Sequence, residues 1–361
     1  MSPREINPDG LHERRNRRSW PIPLGFELAK LVGPRYALRC LLFHDVADEV
    51  SEFTDGLGVT LGVPGFEALI RFVSRYYTAI TLEDYLGFQA SGKFPPRPVL
   101  ITFDDAYASV ASNAAPILKE YGVPAVFFVT ASLVGNEELG LDNLLCYVTN
   151  RFGFEAVQAV GRQFSSERRE FESLEQVFDD LLPAMSRERI RQLRTALAAA
   201  AGVSTRELAQ KAQLYVNAGQ LRALTQNGFE IGNHTFSHVF CRTLCPNEFH
   251  DEIDLNKATL ETITGSRVRA FSVPYGSPVD LTSELVENLR RSGHELVFLA
   301  RDRPNPPQTD PFHLNRVNMH SGTERDFFAE IELLPRLRSL VDILLRRRQG
   351  RNGLPNHMYL A

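Results

Sequence analysis

Residues 99–130 run strand, helix, strand, and that order constrains what the chain can fold into more than any other feature. Val99 to Phe103 is apolar and rich in β-branched side chains, with Pro95, Pro96 and Pro98 before it to stop earlier structure. A helix over 112–120 ends at Gly122, with Pro124 behind it, and a strongly apolar strand over 125–130 follows. Two strands joined through a helix lie parallel. The alternation continues on both sides, with strands expected at 38–43, 79–81, 229–232, 268–273, 296–300 and 312–317. Helices are expected at 23–34, 64–75, from the capping box at Thr81, from Asn217 to Gly228, and at 247–263 and 280–292. Acids and histidines fall just after several of these strands. In a parallel barrel such loops share one face, so the expected class is α/β, a distorted parallel (β/α) barrel.

A chain of 361 residues has the length of two average domains, but α/β barrels reach this size as one. Residues 137–216 have a different texture. Phe171, Leu174, Val177, Phe178, Leu181 and Leu182 recur at helical spacing, as do Ile190, Leu193 and Leu197 between a Ser186 cap and a Gly202 stop. This stretch reads as a helical insertion between two strands. The expected division is an N-terminal arm at 1–37, a barrel at 38–320 carrying the insertion at 137–216, and a C-terminal amphipathic helix and tail at 321–361.

A net charge of −4 gives no pull toward nucleic acid. Cys40, Cys146, Cys241 and Cys245 are scattered and do not suggest a disulfide framework; they read as structural or buried thiols. The N-terminal stretch is polar and lacks the apolar core of a secretory signal. Arg14, Arg15, Arg17 and Arg18 before Trp20 read as a solvated arm. The sharper reading is docking on an anionic membrane face, worth about 1 kcal/mol per basic residue. The expectation is therefore a cytoplasmic protein, with peripheral membrane association as the sharper form. Oligomeric state has no signature in the sequence.

The chemistry-bearing residues are Asp104 and Asp105, at the end of the 99–103 strand, and His234 and His238, after the 229–232 strand. Adjacent carboxylates repel unless one meets a cation or solvent reaches them. The histidines are spaced i, i+4, which on a helical turn aims both rings the same way. Two imidazoles and one carboxylate suit a borderline divalent ion such as zinc. The second carboxylate is then free to take a proton from a water held at the ion.

Thr102-Phe-Asp-Asp105 followed by His234-Thr-Phe-Ser-His238 resembles the polysaccharide deacetylases, the NodB-homology group of carbohydrate esterase family 4. Phe271-Ser-Val-Pro-Tyr-Gly276 is similar to that family's third motif, and the resemblance covers roughly 38–320. It implies a distorted (β/α) barrel of NodB-homology type and metal-dependent hydrolysis of an N-acyl group on a sugar. Asp104 matches the general base. Asp105, His234 and His238 match the metal ligands. Tyr275 matches the residue whose backbone N–H helps hold the oxyanion. The implied cofactor is a divalent metal, Zn²⁺ first, with Co²⁺, Ni²⁺ and Mn²⁺ as alternatives; the implied partner is an N-acetylated carbohydrate.

The departures are informative. Ala106 stands where the family usually has glycine. Ser272 stands where the family has an arginine that buttresses the base, and Arg316 is the candidate substitute or a pocket residue. His44, after the first strand, is a second pocket candidate, with His313 and His320 weaker ones. The general acid is unassigned. The main expectation is an N-deacetylase acting on an amino sugar in a polysaccharide, oligosaccharide or lipid-linked glycan precursor. A deformylase or amidase on another scaffold, and a glycan-binding protein with little turnover, are the alternatives.

Overall fold

The barrel closes where its last strand changes partners, at Arg316. In the computed structural model, which describes residues 35–165 and 170–341, the strands are β1 (Arg39–Phe43), β2 (Asp45–Val46), β3 (Thr60–Leu61), β4 (Thr78–Ala79), β5 (Pro98–Phe103), β6 (Ala125–Val129), β7 (Glu230–Asn233), β8 (Ala270–Ser272), β9 (Leu296–Leu299), β10 (Leu314–Asn315) and β11 (Val317–Asn318). Nine of them form one sheet in the order β10-β9-β8-β7-β6-β5-β1-β11, with β4 paired beside β5. Every pairing in it is parallel. β10 pairs with β9 through Leu314 and Phe298, while β11 pairs with β1 through Val317 and Leu41. Only Arg316 separates the two short strands, so the sheet curls round and nearly closes. The single strand expected over 312–317 is thus two, because a run of apolar residues carries no mark of a change of partner.

β1, β5, β6 and β9 are buried at every residue. Parallel strands covered on both faces read as continuous apolar runs for this reason. Along each strand the side chains alternate between two layers. Cys40, Leu100, Val126, Phe128, Ala270, Leu296, Phe298 and Leu314 form the inner layer. The helix Leu82–Ser91 adds Leu82 and Tyr85 to that cluster where the strands begin. Its Thr81–Asp84 capping box is formed. Outside the barrel, Phe66, Leu69, Ile70, Phe72 and Val73 of helix Val63–Tyr76 are buried, and Phe66 packs edge-on to Phe43 at 5.3 Å.

Helices Leu141–Phe152, Phe154–Phe164, Arg187–Ala201 and Thr205–Ala212 lie between β6 and β7. Ser186 and Ser204 cap the last two, and Gly202 stops the first of that pair in a left-handed conformation. After β11, helix Glu324–Phe328 opens on the Thr323 capping box. Buried Glu332 then accepts hydrogen bonds from Arg39 and Tyr77, which fastens this segment to the barrel wall. Among the described residues no helix is long and apolar enough to cross a membrane. The helix expected at 23–34 and the arginine-rich arm lie outside the described residues. Cys40, Cys146 and Cys241 are buried thiols, but Cys245 is exposed, which corrects the expectation for that residue.

Candidate active site

The inner layer of the barrel runs upward into polar residues. Leu100 and Thr102 point inward, and the same period of two brings Asp104 to the mouth. Ala270 leads likewise to Ser272, and Leu314 to Arg316. The Asp104 N–H still bonds the Phe43 carbonyl, so the strand holds this carboxylate rigidly. The backbone then turns left-handed at Asp105 (φ 67°) and Ala106 (φ 59°). That turn sends the two neighbouring carboxylates to different tasks. It also explains why glycine is expected at 106: a side chain there costs about 1–2 kcal/mol in left-handed backbone.

His234 and His238 converge by a different route from the one their spacing suggests. No helical turn follows β7. Thr235 (φ 60°) and His238 (φ 54°) are both left-handed, and the loop between them is pinned from below. Phe236 donates its N–H to the Glu252 carbonyl, while Ser237 donates its N–H and hydroxyl to the Glu252 carboxylate. The two imidazoles end with centroids 5.0 Å apart.

Asp105 Oδ1 lies 3.3 Å from Nε2 of His234 and 3.3 Å from Nε2 of His238. The three potential ligand atoms all fall within 4.8 Å of one another. His234 Nδ1 is 2.8 Å from the Ser272 carbonyl, so it carries the proton and leaves a lone pair on Nε2. His238 Nδ1 faces the Asp142 carboxylate at 3.3 Å, which holds a proton on that nitrogen and leaves Nε2 as the one that can bind an ion. The acids around these rings favour positive charge at this spot, so His238 must lose its Nε2 proton to serve as a ligand. Burial opposes charge on His238, but the Asp105 and Asp142 carboxylates push its pKa up to about 9. Burial likewise opposes charge on Asp105, yet His238 and His234 hold its carboxyl far below the ordinary range. One carboxylate and two imidazoles with oriented Nε2 atoms fit a divalent cation.

Asp104 sits beside this cluster, its Oδ2 3.8 Å from His234 Nε2. Arg316 grips it with two hydrogen bonds, Nη1 to Oδ1 and Nη2 to Oδ2, each 2.7 Å long. Ser272 completes the cradle, accepting from Arg316 at 2.7 Å and donating to Asp104 at 3.1 Å. A small residue at 272 leaves the space that the Arg316 guanidinium fills, over the Phe128 ring. Burial would raise the Asp104 carboxyl, but Arg316 and then His234 outweigh it and hold the pKa below the ordinary value. Arg316 is fully buried, so it meets Asp104 and not solvent; as a substrate-contacting pocket residue it is misplaced.

Tyr275 occupies the turn after β8 with φ 59°. Its ring stacks on Phe240 at 3.7 Å and its hydroxyl donates to Asp142 at 3.0 Å. His44 follows β1 and lines a recess with Thr60, Asn318 and His320. Burial lowers its pKa, against the pull of the nearby Asp105 and Asp104 charges. His320 is itself exposed and pairs with Glu330. His313 precedes β10, at the opposite end of the barrel, and pairs with Asp310. Asp142 and Phe240 were not candidates from sequence. An acid in the first turn of a helix reads as a partner of the helix dipole, and Phe240 reads as core.

A family model described as polysaccharide deacetylase matches residues 91–158 and 166–297. A poly-beta-1,6-N-acetyl-D-glucosamine N-deacetylase of Staphylococcus aureus is 40% identical over 73 residues, which are 20% of this chain and 25% of that protein. The enzyme of the same name from Staphylococcus epidermidis is 34% identical over 84 residues, 21% of this chain and 29% of its own. The chain thus spans about a quarter of the length of these curated relatives. Among solved structures, a Streptococcus pyogenes deacetylase in complex with acetate superposes with a TM-score of 0.54 at 14% identity, covering 82% of this chain and 98% of that one. IcaB from Ammonifex degensii gives 0.51 at 21% identity, covering 78% and 91%. At these identities the structural likeness is one of fold. The family match runs through β5 to β9 and takes in more than half of the residues, and this chain belongs to the polysaccharide deacetylase family.

Proposed function

We propose that this chain is a divalent-metal-dependent N-deacetylase that hydrolyses the N-acetyl group of an amino sugar within a glycan. The observation that carries the reading is the gathering of Asp105, His234 and His238 within 4.8 Å, with Asp104 alongside. Asp105 Oδ1 and the Nε2 atoms of the two histidines would hold the ion, Zn²⁺ being the best match to their chemistry. Bound there, the ion would supply Lewis acidity, making a water easier to deprotonate and an amide carbonyl easier to attack.

The residues of the chain divide the rest of the work. Asp104 takes a proton from the attacking water. Arg316 keeps Asp104 ionised, so the acceptor is always available, but it also makes Asp104 a weak base that needs an acidified water to act on. The water oxygen bonds to the acetyl carbon, the amine nitrogen takes up the proton that Asp104 received as the carbon–nitrogen bond breaks, and acetate and a free amine leave. Tyr275, in a turn held by Phe240 and Asp142, would offer its backbone N–H to the developing oxyanion. His44 marks the β1 side of the pocket. The named relatives support a β-1,6-linked N-acetylglucosamine chain as the first substrate to try.

The test is acetate release from β-1,6-linked N-acetylglucosamine oligomers by the purified chain loaded with Zn²⁺, Co²⁺ or Ni²⁺. Turnover should vanish on chelation and return with metal. Asp104→Asn should lose at least about a thousandfold in rate while retaining the metal. Absence of acetate from every N-acetylated glycan at full metal occupancy would remove the reading.

A further inference from the structure

The helical segment between β6 and β7 meets the site through its first turn. Helix Leu141–Phe152 begins with Leu141, Asp142 and Asn143. Asp142 divides its carboxylate between two loops. Oδ2 faces His238 Nδ1 at 3.3 Å, after β7, and Oδ1 accepts from the Tyr275 hydroxyl at 3.0 Å, after β8. Asn143, next in the chain, reaches a third. Its amide donates to the Tyr107 hydroxyl at 2.9 Å, in the loop that carries Asp105, and to the Phe53 carbonyl at 2.9 Å. The helix start is therefore fixed to the loop after β5 and braces the loops after β7 and β8.

A second helix of the segment supports the same loop. Arg187, at the start of Arg187–Ala201, lies 2.7 Å from the Glu252 carboxylate. Glu252 in turn accepts from Ser237, beside His238. His238 needs this support, because its backbone is left-handed (φ 54°), a conformation that a β-carbon disfavours.

We infer that Asp142 is the positioning residue of the metal site: it fixes the His238 ring and the proton on Nδ1, so that Nε2 is aimed with its lone pair free, and it ties Tyr275 to the same anchor. This rests on the metal-site reading above. A histidine ligand is held most firmly when its second nitrogen donates to a carboxylate, and loss of that partner weakens metal affinity about 10–100-fold. Asp142 thereby gives the inserted helices a function, and with Asn143 beside it the helix start braces three barrel loops.

The experiment compares the wild type with Asp142→Asn and Asp142→Ala, using the full chain stripped of metal. Zn²⁺ affinity is read by competition with a chromophoric chelator, coordination by the visible spectrum of the Co²⁺ form, and folding by thermal unfolding of the metal-free chain. The expected result is a 10–100-fold weaker Zn²⁺ affinity for Asp142→Ala and a shifted Co²⁺ spectrum. The metal-free chain should keep its unfolding midpoint within a few degrees. Asp142→Asn, which keeps an acceptor for Tyr275, should fall between the two, and it carries the test if the alanine variant does not fold. Wild-type affinity and an unchanged Co²⁺ spectrum in the variants would overturn the role of Asp142 alone. A wild type that binds neither ion would overturn the metal-site reading, and this inference with it.

Discussion

Arg316 and Asp104 form a two-pronged ion pair at the mouth of the barrel, with both bonds at 2.7 Å and neither side chain open to solvent. The pair bridges the point where the barrel closes to the strand that carries the proposed base. Removing one member of a buried pair costs about 3–5 kcal/mol, because the other charge is left without a partner. Arg316→Met should therefore lower stability by that amount in urea unfolding. It should also raise the Asp104 pKa and so move the acid limb of the rate–pH profile upward. Arg316→Lys should not rescue, since an ammonium cannot supply the fork.

The partnership with Ser272 gives a sharper test. Ser272 Oγ lies 2.7 Å from the Arg316 guanidinium, so a long side chain at 272 has nowhere to go while Arg316 is present. Ser272→Arg alone should be strongly destabilising, through overlap and like charge. Combined with Arg316→Met it should recover part of the loss, because the new arginine can enter the vacated space beside Asp104 from β8. A double-mutant cycle should return a coupling of about 1–3 kcal/mol. Additive effects would mean that the two positions do not share one space.

Below that pair, Gly232 of β7 lies against the Phe128 ring of β6. A β-carbon on Gly232 would come within 2.2 Å of the ring, which is fully buried and lies under Arg316. Gly232→Ala should cost about 1–3 kcal/mol by overpacking. Phe128→Leu in the same chain should recover part of it, and thermal unfolding of the two single variants and the double variant decides. Equal losses with and without Phe128→Leu would show that the ring is not what the methyl meets.

Much of this architecture was legible because parallel strands are buried on both faces. β5, β6 and β9 stand out as apolar runs, and helix stops at Gly122 and Gly202 mark where runs end. What was not legible depends on partners rather than on periodicity. Residues 312–317 look like one strand, yet the side chain that interrupts them is the one on which closure turns. The i, i+4 spacing of His234 and His238 suggests a helix, but the loop that joins them uses left-handed residues that are not glycine. Such residues leave no trace in a sequence, since neighbouring structure holds them in place. Asp142 is hidden for a related reason: its two partners are 96 or more residues away along the chain, in loops that meet only after the barrel forms.

Acid should weaken the fold through His294, a residue outside the proposed chemistry. His294 is buried, and its Nε2 accepts from the Asn233 amide at 3.1 Å. The orientation of that amide is fixed, because its oxygen accepts from the Thr235 N–H and from Asn256. Protonated Nε2 would face a donor. Burial, and then the charge of Lys257, lower the His294 pKa to about 3. An unfolded chain takes up this proton near pH 6.5, whereas the folded chain refuses it until about pH 3. Between those values the unfolded state binds more protons, so stability is full above about pH 6.5 and falls as pH drops, by up to about 1.4 kcal/mol per unit from this residue. Because Asn233 immediately precedes His234, the same protonation would disturb the strand end that carries a proposed ligand. Urea midpoints at pH 7.5, 6.5 and 5.5 check this, with His294→Gln as the comparison, since its amide oxygen can accept from Asn233 without titrating. The wild type should lose stability more steeply than the variant across that range, and parallel slopes would exclude His294 as the cause.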